Sequence, residues 1–341
     1  MLRGMILRPR PSPFLHAQLL GSEPVAHAAP VPSWLRKAIE AAQTLEDAAI
    51  AAGAALAALD AVVRRQERWA GAWRQRLALA AAATTAKQGG RVEDEAALRD
   101  TVLLTRPGDF LSVGPAGLLL LAWRRLAARP AEDLLTKGNL AAVLEKFGHA
   151  CDDEAVTDLA EELRQLGAGA GMVGMLAGAF EAAERHGFGR VAGVWLADAL
   201  LAQRLGWAHA VPLLGTEASL GMSARPRRST ARLPVTGTET ETKRAKGLLA
   251  AQARAALCAI DLSIELERRA DRLLAVAPKL RAKGADAIVE QLLSDDALMA
   301  SRGDKKTGMS DRSLRRLFDR LVEHGAVREL SGRPTFRIYG I

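Results

Sequence analysis

Ser310-Asp-Arg-Ser-Leu-Arg-Arg-Leu-Phe-Asp-Arg-Leu-Val-Glu-His-Gly325 is the stretch whose reading decides the fold of the C-terminal part. Ser310 is an N-cap residue, and Asp311 sits in the first turn, where the helix dipole favours a carboxylate. At about 100° per residue, Leu314, Leu317, Phe318, Leu321 and Val322 fall on one side. Arg312, Arg316, Asp319, Arg320 and Glu323 fall on the other. Gly325, after His324, supplies a left-handed stop. The spacing predicts a helix from Asp311 to His324 with an apolar underside and an arginine-bearing outer face.

The flanks extend this pattern. Upstream, Asp286-Ala-Ile-Val-Glu-Gln-Leu-Leu293 puts Ile288, Val289, Leu292 and Leu293 on one face of a short helix, and Ala297-Leu-Met-Ala300 is expected to make one more helical turn. Downstream, Ala326-Val-Arg-Glu-Leu330 and Thr335-Phe-Arg-Ile-Tyr339 are β-prone runs joined by Ser331-Gly-Arg-Pro334, a hairpin signal. Alternation puts Phe336 and Ile338 on one face of the second run, and Thr335, Arg337 and Tyr339 on the other. Helix, short helix, arginine helix and hairpin is the order of a winged helix-turn-helix. Its expected core is Leu314, Phe318, Leu321, Val327 and Phe336. The residues expected to reach double-stranded DNA are Arg312, Arg315, Arg316 and Arg320 on the helix, with Arg328, Arg333 and Arg337 on the wing.

Charge supports the same division. Residues 1–221 hold 23 Lys/Arg against 24 Asp/Glu, whereas residues 222–341 hold 24 against 15. A near-neutral body with a basic tail is the layout of a protein that meets a polyanion at one end. The 341 residues exceed one ordinary domain. With 49% hydrophobic and 4% aromatic residues, long Ala and Leu runs predict a mainly α protein of closely packed helices. No apolar run reaches the length of a spanning helix, so no membrane partner is expected; the longest, Val113 to Trp123, ends in Arg124-Arg125. Cys151 and Cys258 are far apart, without CxxC spacing, which fits a reducing cytoplasm.

In order, the chain reads as a disordered leader (1–32), a multi-helix bundle (33–221), a flexible linker (222–242), a long connecting helix (243–283) and the winged helix-turn-helix (284–341). The leader has the basic start of a signal peptide, but Pro9, Pro11 and Pro13 occupy the place of its apolar core. The linker carries Arg225-Pro-Arg-Arg-Ser-Thr230 and Pro234-Val-Thr-Gly-Thr-Glu-Thr-Glu-Thr242 without periodicity. Along the long helix, Leu248, Ala255, Ala259, Leu262, Leu266, Leu273 and Leu280 nearly keep a three–four spacing. That stripe suits docking on the bundle or a homodimer through the long helix.

Three motifs invite chemistry and yield plainer readings. Glu93, Asp94 and Glu95 open a helix whose dipole favours them, with Glu95 and Arg99 at i, i+4. An enzyme, the least favoured class, would rest on Glu93, Glu95 and Arg99 near Trp73. His149-Ala-Cys-Asp-Asp-Glu154 has the look of a metal cluster but lacks a second pair at ligand spacing, so Asp152 or Asp153 is read as an N-cap and no metal is expected. Gly169-Ala-Gly-Met-Val-Gly174 matches a dinucleotide fingerprint but follows a polar helix instead of a strand, so no cofactor is expected.

Ala54-Ala-Leu-Ala-Ala-Leu-Asp60, Trp69-Ala-Gly-Ala-Trp-Arg-Gln-Arg-Leu77, Trp195-Leu-Ala-Asp-Ala-Leu-Leu-Ala-Gln-Arg-Leu-Gly-Trp207 and Ala277-Pro-Lys-Leu-Arg-Ala-Lys-Gly284, together with the Ser310 helix, carry a family resemblance. Over nearly its whole length after the leader, the chain resembles a bacterial domain-of-unknown-function family (fourteen-oh-three) of rhizobia and their relatives. That resemblance implies a bacterial cytoplasmic protein and assigns no activity. The expected function is that of a DNA-binding, transcriptional regulator-like protein, its helical body serving dimerisation or the sensing of a partner. The alternative is a protein-interaction adaptor without enzymatic activity.

Overall fold

Alanine density sets the packing of the body. The computed structural model describes residues 31–105, 109, 112–150, 152–221, 237–280, 282–300 and 309–341. Among these, α2 (Leu45–Arg64) buries Ala48, Ala51, Ala52, Ala55, Leu59 and Val62. It lies along α11 (Gly237–Val276), where Ala251, Ala255, Ala259, Leu266 and Leu273 are equally buried. Small side chains on both surfaces let the two backbones approach closely. α1 (Ser33–Ala41) closes one side of this pair through Leu35 and Ile39.

The remaining body helices are α3 (Ala70–Gln88), α4 (Glu95–Leu104), α5 (Gly114–Ala128), α6 (Lys137–Lys146), α7 (Asp153–Gly169), α8 (Met172–Arg185), α9 (Gly189–Arg204) and the short α10 (Ala218–Gly221). Three buried indoles stitch them together, since a tryptophan buried on all sides still needs a partner for its N–H. Trp73 on α3 donates to the Ala259 carbonyl on α11 at 2.9 Å. Trp123 on α5 donates to Thr85 Oγ1 on α3 at 3.0 Å, and Trp195 on α9 donates to the Ala122 carbonyl on α5 at 3.1 Å. A fourth, Trp207, reaches Asp60 Oδ1 on α2 at 2.8 Å. Gly215 leaves room for the Trp123 ring: a Cβ there would lie 2.3 Å from Cη2.

Asp198, fully buried on α9, accepts the backbone N–H groups of Leu213, Leu214 and Gly215 at 2.9, 3.0 and 3.3 Å. Burial pushes its carboxyl up to about 7, against those three donors, which pull it down.

The stripe on α11 has a use within the chain. Leu248, Ala255, Ala259, Leu266 and Leu273 are buried, with α2 packed along the helix. The helix begins at Gly237, earlier than the expected Lys243, while residues 222–236 of the expected linker and 1–30 of the expected leader lie outside the described residues. By length and composition alone, the span Glu241–Lys279 is apolar enough to cross a membrane, but 61% of its apolar window is buried inside the protein. Residues Val31–Ile341 form one compact unit.

The C-terminal segment adds α12 (Ala285–Ser294), β1 (Leu298–Met299), α13 (Asp311–Glu323), β2 (Arg328–Glu329) and β3 (Ile338–Gly340). The strands form an antiparallel sheet of order β1-β3-β2, with Met299 opposite Ile338 and Glu329 opposite Tyr339. Leu298–Met299 is therefore extended, and the helical turn expected at Ala297–Ala300 is corrected: pairing with β3 outweighs a weak local preference. The protein is mainly helical, with this small sheet at its C-terminal end.

Candidate nucleic-acid interface

α13 forms as its pattern demands. Ser310 Oγ accepts the Ser313 N–H at 3.3 Å, and Gly325 takes φ +64°. Leu314, Leu317, Phe318 and Leu321 are buried, whereas Val322, expected on the same side, is 41% exposed at the edge of the stripe. Phe318 stacks on Tyr339 of β3, ring centroids 4.5 Å apart. That contact corrects the expected core. Phe336 has φ +53° and is 57% exposed, because the chain leaves the extended conformation there and the alternation assumed for Thr335–Tyr339 fails. Tyr339 and Ile338, consecutive residues, are both buried.

Of the expected DNA contacts, Arg312, Arg315, Arg316 and Arg320 on α13 are exposed, as are Arg328 and Arg337. Arg337 Nε lies 3.7 Å from Glu329 Oε2 and donates to the Arg333 carbonyl at 3.3 Å. Arg333 differs from the rest: its guanidinium pairs with Asp100 on α4, so the tip of the hairpin leans on the body. The hairpin is further pinned at Ser331, whose hydroxyl accepts the Ile338 N–H at 3.2 Å and donates to Glu329 Oε1 at 3.1 Å. Between α13 and the hairpin lies a cavity of about 290 Å³ lined by Arg315, Asp319, Phe336, Arg337 and Tyr339.

What fixes this face in place escaped the sequence reading. Asp296, between α12 and β1, is fully buried and paired with two arginines of the body. Arg99 Nε donates to Asp296 Oδ2 at 2.6 Å and Arg76 Nε to Oδ1. Arg76 Nη2 also reaches the Asp296 and Ile341 carbonyls, each at 3.3 Å, and Arg269 Nη1 donates to the same Ile341 oxygen at 3.3 Å. Burial alone would push the Asp296 carboxyl up; the charges of Arg76, Arg99 and Arg124 and the Arg99 hydrogen bond hold it below its ordinary 3.8. At the rim, Arg68 of the body pairs with Glu290 of α12. Arg99 is thus 7% exposed and turned inward to Asp296 instead of outward to the exposed Glu95.

The other motifs fall where capping logic puts them. Asp94 accepts the Ala97 N–H at 2.8 Å and Asp152 the Glu154 N–H at 3.3 Å. Gly169 ends α7 and Gly171 is the N-cap of α8, so the glycine motif joins two helices. Cys258 is a free thiol; Cys151 lies outside the described residues. Among the described residues, no group of three or more His, Cys, Asp or Glu is placed to hold a metal ion.

No curated protein and no solved structure matches the chain. The sequence profile of the family described as "Protein of unknown function (DUF1403)" matches residues 22–341. The match takes in the body, the long helix and the C-terminal sheet alike, and the chain belongs to that family.

Proposed function

We propose that residues 284–341 act as a winged helix-turn-helix and that the protein binds double-stranded DNA through α13, as a transcriptional regulator-like protein of the bacterial cytoplasm. The observation that carries this reading is the division of α13: four arginines stand in solvent on a helix whose other side is buried, with Phe318 stacked on Tyr339 of β3. The order β1-β3-β2, with α13 between β1 and β2 in the chain, is also the connectivity of a winged helix. Arg312 and Arg316, one turn apart, are suited to base edges in a major groove; Arg328 and Arg337 are suited to phosphates. The body holds this unit through Asp296 and is assigned the sensing of a partner. A homodimer through the long helix belongs to the same reading: Leu248, Ala255, Ala259, Leu266 and Leu273 are buried within the chain, so it would form through the positions of α11 left open, the partly buried Leu262 among them.

The test is a titration of labelled duplex DNA at several salt concentrations. Binding that weakens linearly in log K against log salt supports the proposal; no affinity at low salt removes it. The adaptor reading keeps one observation in its favour. Phe336, a large exposed apolar side chain, lines the cavity beside α13, and such a group suits a protein partner better than a phosphate. Capture of a stoichiometric protein that survives nuclease treatment, with no duplex affinity, would select it.

A further inference from the structure

A cavity of about 400 Å³ opens where α3, the end of α5 and the end of α12 meet, and the role proposed for α13 makes no use of it. Its walls include Val63, Ala70, Ala127, Gln75, Arg74 and His209, with Ser294 at the α12 side. Arg74 is partly buried and donates Nε–H to the Ala127 carbonyl at 3.0 Å. Among the described residues no carboxylate pairs with it, although Glu67 lines the same cavity; Glu67 lies 4.0 Å from Arg65 instead. Burial is the one influence on Arg74, lowering its pKa. A guanidinium carries five N–H donors, and a half-buried one left without an anion is costly unless something supplies it.

Two further groups face the same space. His209 is held below its ordinary pKa, first by burial and then by the positive charge of Arg74, so its ring is neutral near pH 7 and can donate one hydrogen bond. Gln75 is 8% exposed, and its Oε1 is closed off from solvent without a hydrogen-bond partner, so it accepts from an occupant once the Gln75 amide turns toward the cavity it lines. His209 also lines an adjoining cavity of about 750 Å³ with Pro130, Gln203 and Trp207.

We infer that this cavity binds a small organic oxyanion that also carries a hydroxyl or amino donor, with Arg74 taking the anionic group, His209 donating to it and Gln75 accepting from the donor. The cavity falls within the roughly 300–1,000 Å³ of small-molecule sites, larger than an inorganic ion needs. The inference does not rest on DNA binding and stands or falls separately. Because Ser294 forms part of the wall and Gly71 packs directly against it, an occupant would touch the seam between body and C-terminal segment.

The full-length chain is titrated calorimetrically with malate, with succinate (the same dicarboxylate without the hydroxyl) and with inorganic phosphate, at constant ionic strength. Malate is expected to bind most tightly, and Arg74→Met, which keeps the aliphatic stem, to weaken it by about tenfold or more, the scale of one charge-assisted hydrogen bond. Absence of saturable binding of all three anions, or unchanged affinity in Arg74→Met, would overturn the assignment. Should Arg74→Met not fold, wild-type NMR decides: malate is expected to raise the pKa of the His209 ring, and an unmoved His209 titration rejects the site.

Discussion

Replacing Asp296 with Asn tests whether one buried carboxylate holds the C-terminal segment to the body. The change keeps shape and removes charge. Asp296 is 0% exposed, and the side chains of Arg76 and Arg99 are 15% and 9% exposed, so water cannot replace the lost anion. Breaking a buried pair from one side costs about 3–5 kcal/mol, because the remaining charge is left uncompensated. Two arginines share this one carboxylate, which argues for the upper end. At roughly 2 °C per kcal/mol for a chain of this size, Tm should fall by about 6–10 °C. The pH dependence adds a second check. A carboxyl held below 3.8 in the fold contributes stability in full above 3.8, lost as pH falls through the still lower folded value. The gap between wild type and Asp296→Asn should therefore be constant from pH 5 to 8 and narrow only in strong acid. Denaturant unfolding of both proteins measures it. A loss below about 1 kcal/mol at pH 7 would refute the argument, since that is the scale of an exposed pair.

Three further outcomes are expected. In duplex binding, Arg316→Ala should flatten the log K against log salt slope by about 0.9, whereas Arg333→Ala, whose guanidinium is already neutralised by Asp100, should change it by less than half as much; equal effects would show that the Asp100 pair opens on DNA. Gly71→Ala would place a Cβ 2.7 Å from the Ser294 carbonyl oxygen and 2.8 Å from its Cα, both backbone atoms, so overpacking of about 1–3 kcal/mol is expected, read as faster proteolysis between α12 and β1. For Asp198, raised from 3.8 to about 7, the folded state keeps a proton that the unfolded chain has lost, so stability falls as pH rises through that window and levels above it. The drop is at most roughly 4 kcal/mol at 1.36 kcal/mol per pH unit, and melting curves should show it flattened in Asp198→Asn; a wild-type Tm constant from pH 5 to 8 would mean the three N–H donors outweigh burial.

Local pattern carried the parts of the fold that local physics decides. Leu314, Leu317, Phe318 and Leu321 were legible because a helix repeats its face every 3.6 residues, and Ser310, Asp94 and Asp152 because a cap is a short-range bond. Phe336 was misread because alternation assumes an unbroken pleat, and one residue at φ +53° breaks it. Leu298–Met299 was misread because its partners, Ile338 and Tyr339, are distant in sequence. Asp296 gave no signal at all: in Ser294-Asp-Asp-Ala297 it reads as polar loop, and its arginines stand 220 and 197 residues away. Asp198 did leave a trace. A carboxylate inside the apolar run Val194–Ala202 needs internal partners, a signal the sequence holds but the sequence reading left unused.

The seam also explains how a segment of nearly balanced charge could meet a polyanion. Residues 284–341 hold ten Lys/Arg against nine Asp/Glu, too even for strong attraction to DNA. Two of those acids, Glu290 and Asp296, face Arg68, Arg76 and Arg99 of the body, while Arg333 alone is taken in the reverse sense by Asp100. Among the described residues of the segment, six cations and six anions are then left outside these pairs, and all six cations lie on α13 and the hairpin. Docking sorts charge that composition does not. A modest salt dependence follows: with six exposed arginines as the most phosphates neutralised, the slope should be no steeper than about −5. A slope near −10 would mean that cations other than these six bind DNA as well, and α13 would lose its place as the principal contact.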